Sequence, residues 1–116
     1  VASRLASTLP EDALLARIGG EEFLVALPDC PVGQARRMAE DLRRAVMAQP
    51  VRLPPDCAVD ELGITVSAGV AIGHAGGPHP QPPDPEALLA SADRALLSAK
   101  SSGRNRIVIA PQMIAA

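Results

Sequence analysis

Two acidic residues behind two glycines, Gly19-Gly20-Glu21-Glu22, are the first stretch whose residue types and spacing suit chemistry. Without a Cβ the glycines let backbone approach a ligand closely, and carboxylates offer hard oxygens to a divalent cation. Taken alone, the string reads more simply as a solvated acidic turn. A second set lies far along the chain, where Lys100 and Arg104 flank Ser101-Ser102-Gly103 and can face one anion such as a phosphate. The plainer alternative is two cations at a helix C-terminus, where the macrodipole favours positive charge. His74 and His79 have no cysteine or carboxylate at ligand spacing and read as loop residues. No serine sits in a Gly-x-Ser-x-Gly elbow, and neither Cys30 nor Cys57 lies in a pattern that lowers a thiol pKa, so nucleophilic hydrolase chemistry is not indicated. Arg17 and Asp93 read most simply as a strand-end cation and an exposed or paired helix acid.

The elements that must position these residues follow from apolar spacing. Residues 1–9 read as the end of a helix, with Val1, Leu5 and Leu9 on one face and Pro10 closing it. Residues 13–27 read as a β-hairpin, two short apolar runs joined by the Gly-Gly-Glu-Glu turn. Residues 33–49 form an amphipathic helix: Ala35, Met38, Ala39, Leu42, Ala45 and Val46 lie opposite a face of Arg36, Arg37, Glu40, Asp41, Arg43 and Arg44. Residues 51–61 read as a connector or an irregular edge and 64–72 as a central strand, in which Gly69 marks a bulge or a close backbone approach. The proline-rich stretch from Pro78 to Pro85 excludes regular structure. Residues 84–102 then form a second helix, with Asp84 as N-cap, Pro85 in the first helical position and Gly103 past its end. Residues 105–110 close the chain as a strand.

A chain of 116 residues suits a single α/β or α+β domain. Net charge is −2, so no basic excess points to nucleic acid, and Phe23 is the sole aromatic residue, which leaves no platform for stacking bases. Leu62 to Pro83 carries no formal charge, but Gly, Ser, Thr, His and Pro interrupt it too often for a membrane span. No apolar leader is visible, and a lone cysteine pair in such a chain reads as two reduced thiols, so the expected compartment is the cytoplasm.

In combination, Arg17-Ile18-Gly19-Gly20-Glu21-Glu22-Phe23, then Val66-Ser67-Ala68-Gly69-Val70-Ala71, then Ala92-Asp93-Arg94-Ala95-Leu96, Ala99-Lys100 and Gly103-Arg104-Asn105 resemble the GGDEF family in order and context. The resemblance runs from Val1 to Ile109. It implies an α+β, palm-like fold related to nucleotide cyclases, with a central, mostly antiparallel sheet wrapped by helices. It also implies diguanylate cyclase activity, the condensation of two GTP into cyclic di-GMP with release of pyrophosphate. By position, Glu21 matches the residue that ligates Mg²⁺ (or Mn²⁺) and activates the ribose 3′-hydroxyl, and Glu22 matches its neighbour near the metal. Lys100 and Arg104 match the cations on the GTP phosphates, and Gly19 and Gly20 let the turn lie beside the nucleotide. The implied partners are a second copy of the domain, because each holds one GTP, and an upstream sensory or receiver region.

Departures from the family pattern set further expectations. The family's first strand, rich in Asp and carrying Phe-Lys, has no counterpart in this sequence. Residues 1–116 are therefore expected to be a single partial domain, lacking its N-terminal strand and helix and inactive alone. The alternative is a non-catalytic module of the same fold that binds nucleotide or regulates a neighbour. The family's product-inhibition Arg and Asp fall on Pro10 and Ala13, so feedback through that site is not expected. The family's usual Tyr is Leu97, a change that packing should tolerate.

Overall fold

The computed structural model describes residues 2–18, 22–27, 30–48, 50–73 and 84–110. Their elements run α1 (Ala2–Thr8), β1 (Leu14–Arg17), β2 (Phe23–Ala26), α2 (Val32–Met47), β3 (Val51–Arg52), β4 (Glu61–Leu62), β5 (Ala68–Val70), α3 (Pro85–Ser101) and β6 (Ile107–Ile109). The strands pair as β1 with β2 and β3 with β4, both antiparallel, and β5 with β6, parallel. The fold is thus mixed α+β, and the chain divides into two compact units, Val1–Ile64 and Thr65–Ala116. No helix among the described residues is long and apolar enough to cross a membrane. Cys30 and Cys57 are both free thiols.

In the first unit α1 packs on α2. The buried residues are small or branched, Leu5 from α1 and Ala35, Ala39 and Val46 from α2, so the two helices approach closely without aromatic filler. Arg4 ties them by donating from Nη1 to the Val46 carbonyl at 3.0 Å, satisfying an acceptor in the last turn of α2. On the outer face of α2, Glu40 accepts from Nε of Arg43 at 3.1 Å and from Nε of Arg44 at 3.2 Å. The Arg43 hydrogen bond is the main reason that the Glu40 carboxyl lies below its ordinary value of 4.5.

The stretch 51–61, expected as a connector or an irregular edge, carries the β3–β4 ladder, which reaches Leu62. Leu53 N–H donates to the Asp60 carbonyl at 2.9 Å, and Cys57 N–H donates to the Pro54 carbonyl at 3.0 Å to close the turn. A ladder of two residues per strand is too short to show a period in sequence. The stretch 64–72 behaves in the opposite way, because only Ala68–Val70 is strand. β composition creates a strand only where a ladder partner stands, and β6 supplies three residues, Ile107–Ile109.

The second unit is a β–α–β crossover in which α3 joins the two parallel strands, as parallel pairing requires. Asp84 caps α3 by accepting from Glu86 N–H at 3.0 Å, and Pro85 occupies the first turn. The helix faces β5 with small residues, of which Ala95 and Ala99 are buried. Gly69 of β5 is what permits the contact. A Cβ there would stand 2.1 Å from the Ala92 carbonyl oxygen and 2.3 Å from the Leu96 nitrogen, both main-chain atoms that no rotamer change can move.

Two outcomes are expected from the packing and charge. Gly69→Ala should cost about 3 kcal/mol, the upper part of the overpacking range, because α3 must shift bodily. Gly33→Ala, in α2 with nothing within 4 Å of the added Cβ, should instead stabilise by about 0.5 kcal/mol; urea titration of both variants checks the contrast. Because folding depresses the Glu40 pKa, its stabilisation is present above 4.5 and lost as pH falls through the folded value. Glu40→Gln should therefore melt below the parent at neutral pH, and the gap should close in acid.

Candidate functional site

Strands β1 and β2 flank the sequence Gly19-Gly20-Glu21-Glu22. β1 and β2 stay in register to the turn, with Leu14 opposite Ala26 and Arg17 opposite Phe23. The Arg17 guanidinium carbon lies 5.7 Å from the centre of the Phe23 ring, a cation–π contact across the last pair of the stem. Beyond it Ile18 N–H donates to the Glu22 carbonyl at 3.0 Å, which closes the turn at its base. Glu22 is exposed and directly precedes β2. Gly19, Gly20 and Glu21 lie outside the described residues, as do His74 and His79.

The second set of site residues stands at the C-terminal end of α3. Lys100, half-buried, belongs to the last turn. The chain then leaves the helix through a Schellman motif, in which Gly103 takes φ 123° and Arg104 N–H donates to the Ala99 carbonyl at 3.0 Å. Arg104, exposed, has φ 63° and Asn105 has φ 47°. A left-handed backbone costs roughly 1–2 kcal/mol at a residue such as Arg, and less at Asn. The Ser98 carbonyl accepts from the Ser101 hydroxyl at 3.1 Å, from the Ser102 hydroxyl at 2.6 Å and from Ser102 N–H at 3.0 Å.

The helix dipole places partial negative charge at this end, so an anion gains nothing from the backbone here. An anion placed here would depend on cationic side chains for its attraction, and Lys100 and Arg104 are the two that the sequence offers. Arg adds a planar fork that can grip two phosphate oxygens at once. A shallow groove of about 540 Å³ also runs along α3 beside β6, lined by Ser91, Arg94, Ser98 and residues 108–110, and it includes neither Lys100 nor Arg104.

The carboxylate oxygens of the turn have the hardness that Mg²⁺ or Mn²⁺ prefers. Among the described residues no group of three His, Cys, Asp or Glu side chains could hold a metal by itself. Sequence inspection missed the Arg17–Phe23 contact, whose only sequence signal is a cation and a ring on either side of the turn. It also missed the left-handed backbone of Arg104, signalled only by the succession Gly-Arg-Asn.

The family model described as diguanylate cyclase, GGDEF domain, matches residues 1–106. The response regulator PleD of Caulobacter vibrioides is 39% identical over 107 residues, which are 92% of this chain and 22% of that protein. The diguanylate cyclase DgcP of Pseudomonas aeruginosa is 36% identical over 112 residues, 95% of this chain and 15% of that protein. The crystal structure of the GGDEF domain of DgcB from Caulobacter crescentus in complex with c-di-GMP superposes with a TM-score of 0.79 at 28% identity, covering 93% of this chain and 59% of that one. The chain spans about a quarter or less of the length of the curated relatives it matches.

The strained backbone of Arg104 gives a test independent of ligand. At a left-handed position glycine is favoured, so Arg104→Gly should be more stable than Arg104→Ala by about 1 kcal/mol, the reverse of their order in a helix. Thermal denaturation of the two variants reads the difference.

Proposed function

This chain belongs to the diguanylate cyclase GGDEF family, and on that premise we propose that it forms part of an enzyme that condenses two GTP into cyclic di-GMP. The observation that carries the proposal is one continuous family match over residues 1–106, containing both the Gly-Gly-Glu-Glu turn and Lys100 with Arg104. In each half-reaction the ribose 3′-oxygen of one GTP attacks the α-phosphorus of the other. A phosphorus–oxygen ester bond forms, the bond to the β-phosphate bridge breaks, and pyrophosphate leaves. The second half-reaction repeats this with the roles exchanged and closes the ring.

The residues take the roles that their chemistry suits. Glu21 would hold Mg²⁺ or Mn²⁺ and accepts the proton of the 3′-hydroxyl, with Glu22 next in sequence. When bound, such a cation would supply neutralisation of phosphate charge. Gly19 and Gly20 admit the nucleotide close to the turn. Lys100 and Arg104 hold the phosphates and orient the α-phosphorus, a contribution of position rather than of bond making. Because each domain carries one GTP, catalysis takes two copies face to face, brought together by a sensory or receiver region upstream. The cytoplasm, which holds the GTP pool, is the place for such an enzyme, and two free thiols suit it.

The test is the full-length protein with GTP and Mg²⁺, the product being read by mass. Glu21→Ala should lower cyclic di-GMP formation by about 10²-fold or more. Undiminished turnover would refute the role of Glu21. GTP binding without product from the unmodified protein would assign the chain to a regulatory module instead.

A further inference from the structure

Gly103, Arg104 and Asn105 follow one another with positive φ, and two of the three carry side chains. A run of this kind does not hold itself, so neighbouring structure must fix it. On the helix side the bond from Arg104 N–H to the carbonyl of fully buried Ala99 does so. On the strand side the work falls to Arg106. Its carbonyl accepts from Ala68 N–H of β5 at 3.0 Å, which anchors its main chain to the parallel ladder. Its side chain turns back, and Nε–H donates to the Arg104 carbonyl at 3.1 Å. The guanidinium also lies against Gly103, since a Cβ there would stand 2.7 Å from its terminal nitrogen.

We propose that Arg106 is a positioning residue for nucleotide binding: its side chain bridges from the β5–β6 ladder to the Arg104 carbonyl and holds the left-handed turn that aims Arg104 at the GTP phosphates. The proposal rests on the assignment of Arg104 to the phosphates. It goes beyond that assignment in giving a role to a cation whose Nε–H is already committed to the backbone. Arg104 stands between two main-chain anchors, one in the helix and one in the sheet, and the Arg106 side chain braces its carbonyl between them; loss of that side chain removes the brace and leaves both anchors in place. The charge of Arg106 is not what matters to the nucleotide. Its hydrogen bond is.

The experiment is a double-mutant cycle on GTP affinity in the full-length protein with Mg²⁺. Arg106→Met keeps the apolar stem and removes the donor, and because Arg106 is exposed the core is left intact, which a thermal melt verifies. Arg104→Ala should weaken GTP binding about tenfold or more, and Arg106→Met about fivefold. Once Arg104 is alanine, adding Arg106→Met should change affinity by less than about twofold. Arg106→Lys, which can still donate to the carbonyl, should recover most of the affinity. Equal losses from Arg106→Met in both backgrounds would show a direct or general electrostatic role and overturn the proposal, as would no loss at all. If Arg104→Ala leaves affinity unchanged, the phosphate assignment itself falls and the proposal with it.

Discussion

The approach of α3 to β5 at Gly69 is the constraint on which the second unit depends. Main chain meets main chain there, so the distance has no slack for even one methyl group. Small residues on the facing side of the helix, Ala95 and Ala99 among them, are the complement of that glycine. Close approach fixes the axial position of α3 and therefore the height at which it ends. The last turn carries Lys100, and the chain must turn sharply to lay Ile107–Ile109 beside Ala68–Val70. Left-handed backbone at residues 103–105 accomplishes that turn. A packing requirement in the sheet is thus transmitted to the cations at the helix end.

Charge at the site is local rather than global. The protein carries 11 basic and 13 acidic side chains, so its overall field does not draw a polyanion such as GTP. The proposed nucleotide binding would rest on a few placed groups, and a helix C-terminus is an unfavourable place for a phosphate unless side chains reverse its sign. Lys100 and Arg104 are suited to that reversal. The strain held at Arg104 is consistent with a residue kept for ligand rather than for stability, since glycine would fit its backbone better. At the other set of residues the Arg17–Phe23 contact and the Ile18–Glu22 hydrogen bond stiffen the stem below the acidic turn.

Much of the architecture was legible because it obeys strong local rules. The alternation of Ala35, Ala39 and Val46 against an arginine-rich face marks α2, and these three are its buried residues. Asp84 before Pro85 marks the start of α3, and the aspartate makes the capping hydrogen bond. The β3–β4 ladder was not legible, because two residues per strand carry no period. The length of β5 was not legible either. Ile64 to Val66 have strand composition, but pairing is a property of two segments, and β6 supplies partners to only three residues.

The sequence by itself determined the chemical inventory: two adjacent carboxylates behind a pair of glycines, a lysine and an arginine four positions apart, and a chain whose sole aromatic residue is Phe23. It also determined the family, since the order and spacing of these groups suffice for that. Only the tertiary structure decided that Gly69 is a point of backbone contact rather than a bulge, because the atoms it nearly touches lie more than twenty residues away on α3. Only the tertiary structure decided that Arg104 sits in left-handed backbone with Arg106 folded back onto its carbonyl. Helix end and strand start must meet there, and the geometry of that junction follows from where β5 stands, which no local pattern encodes.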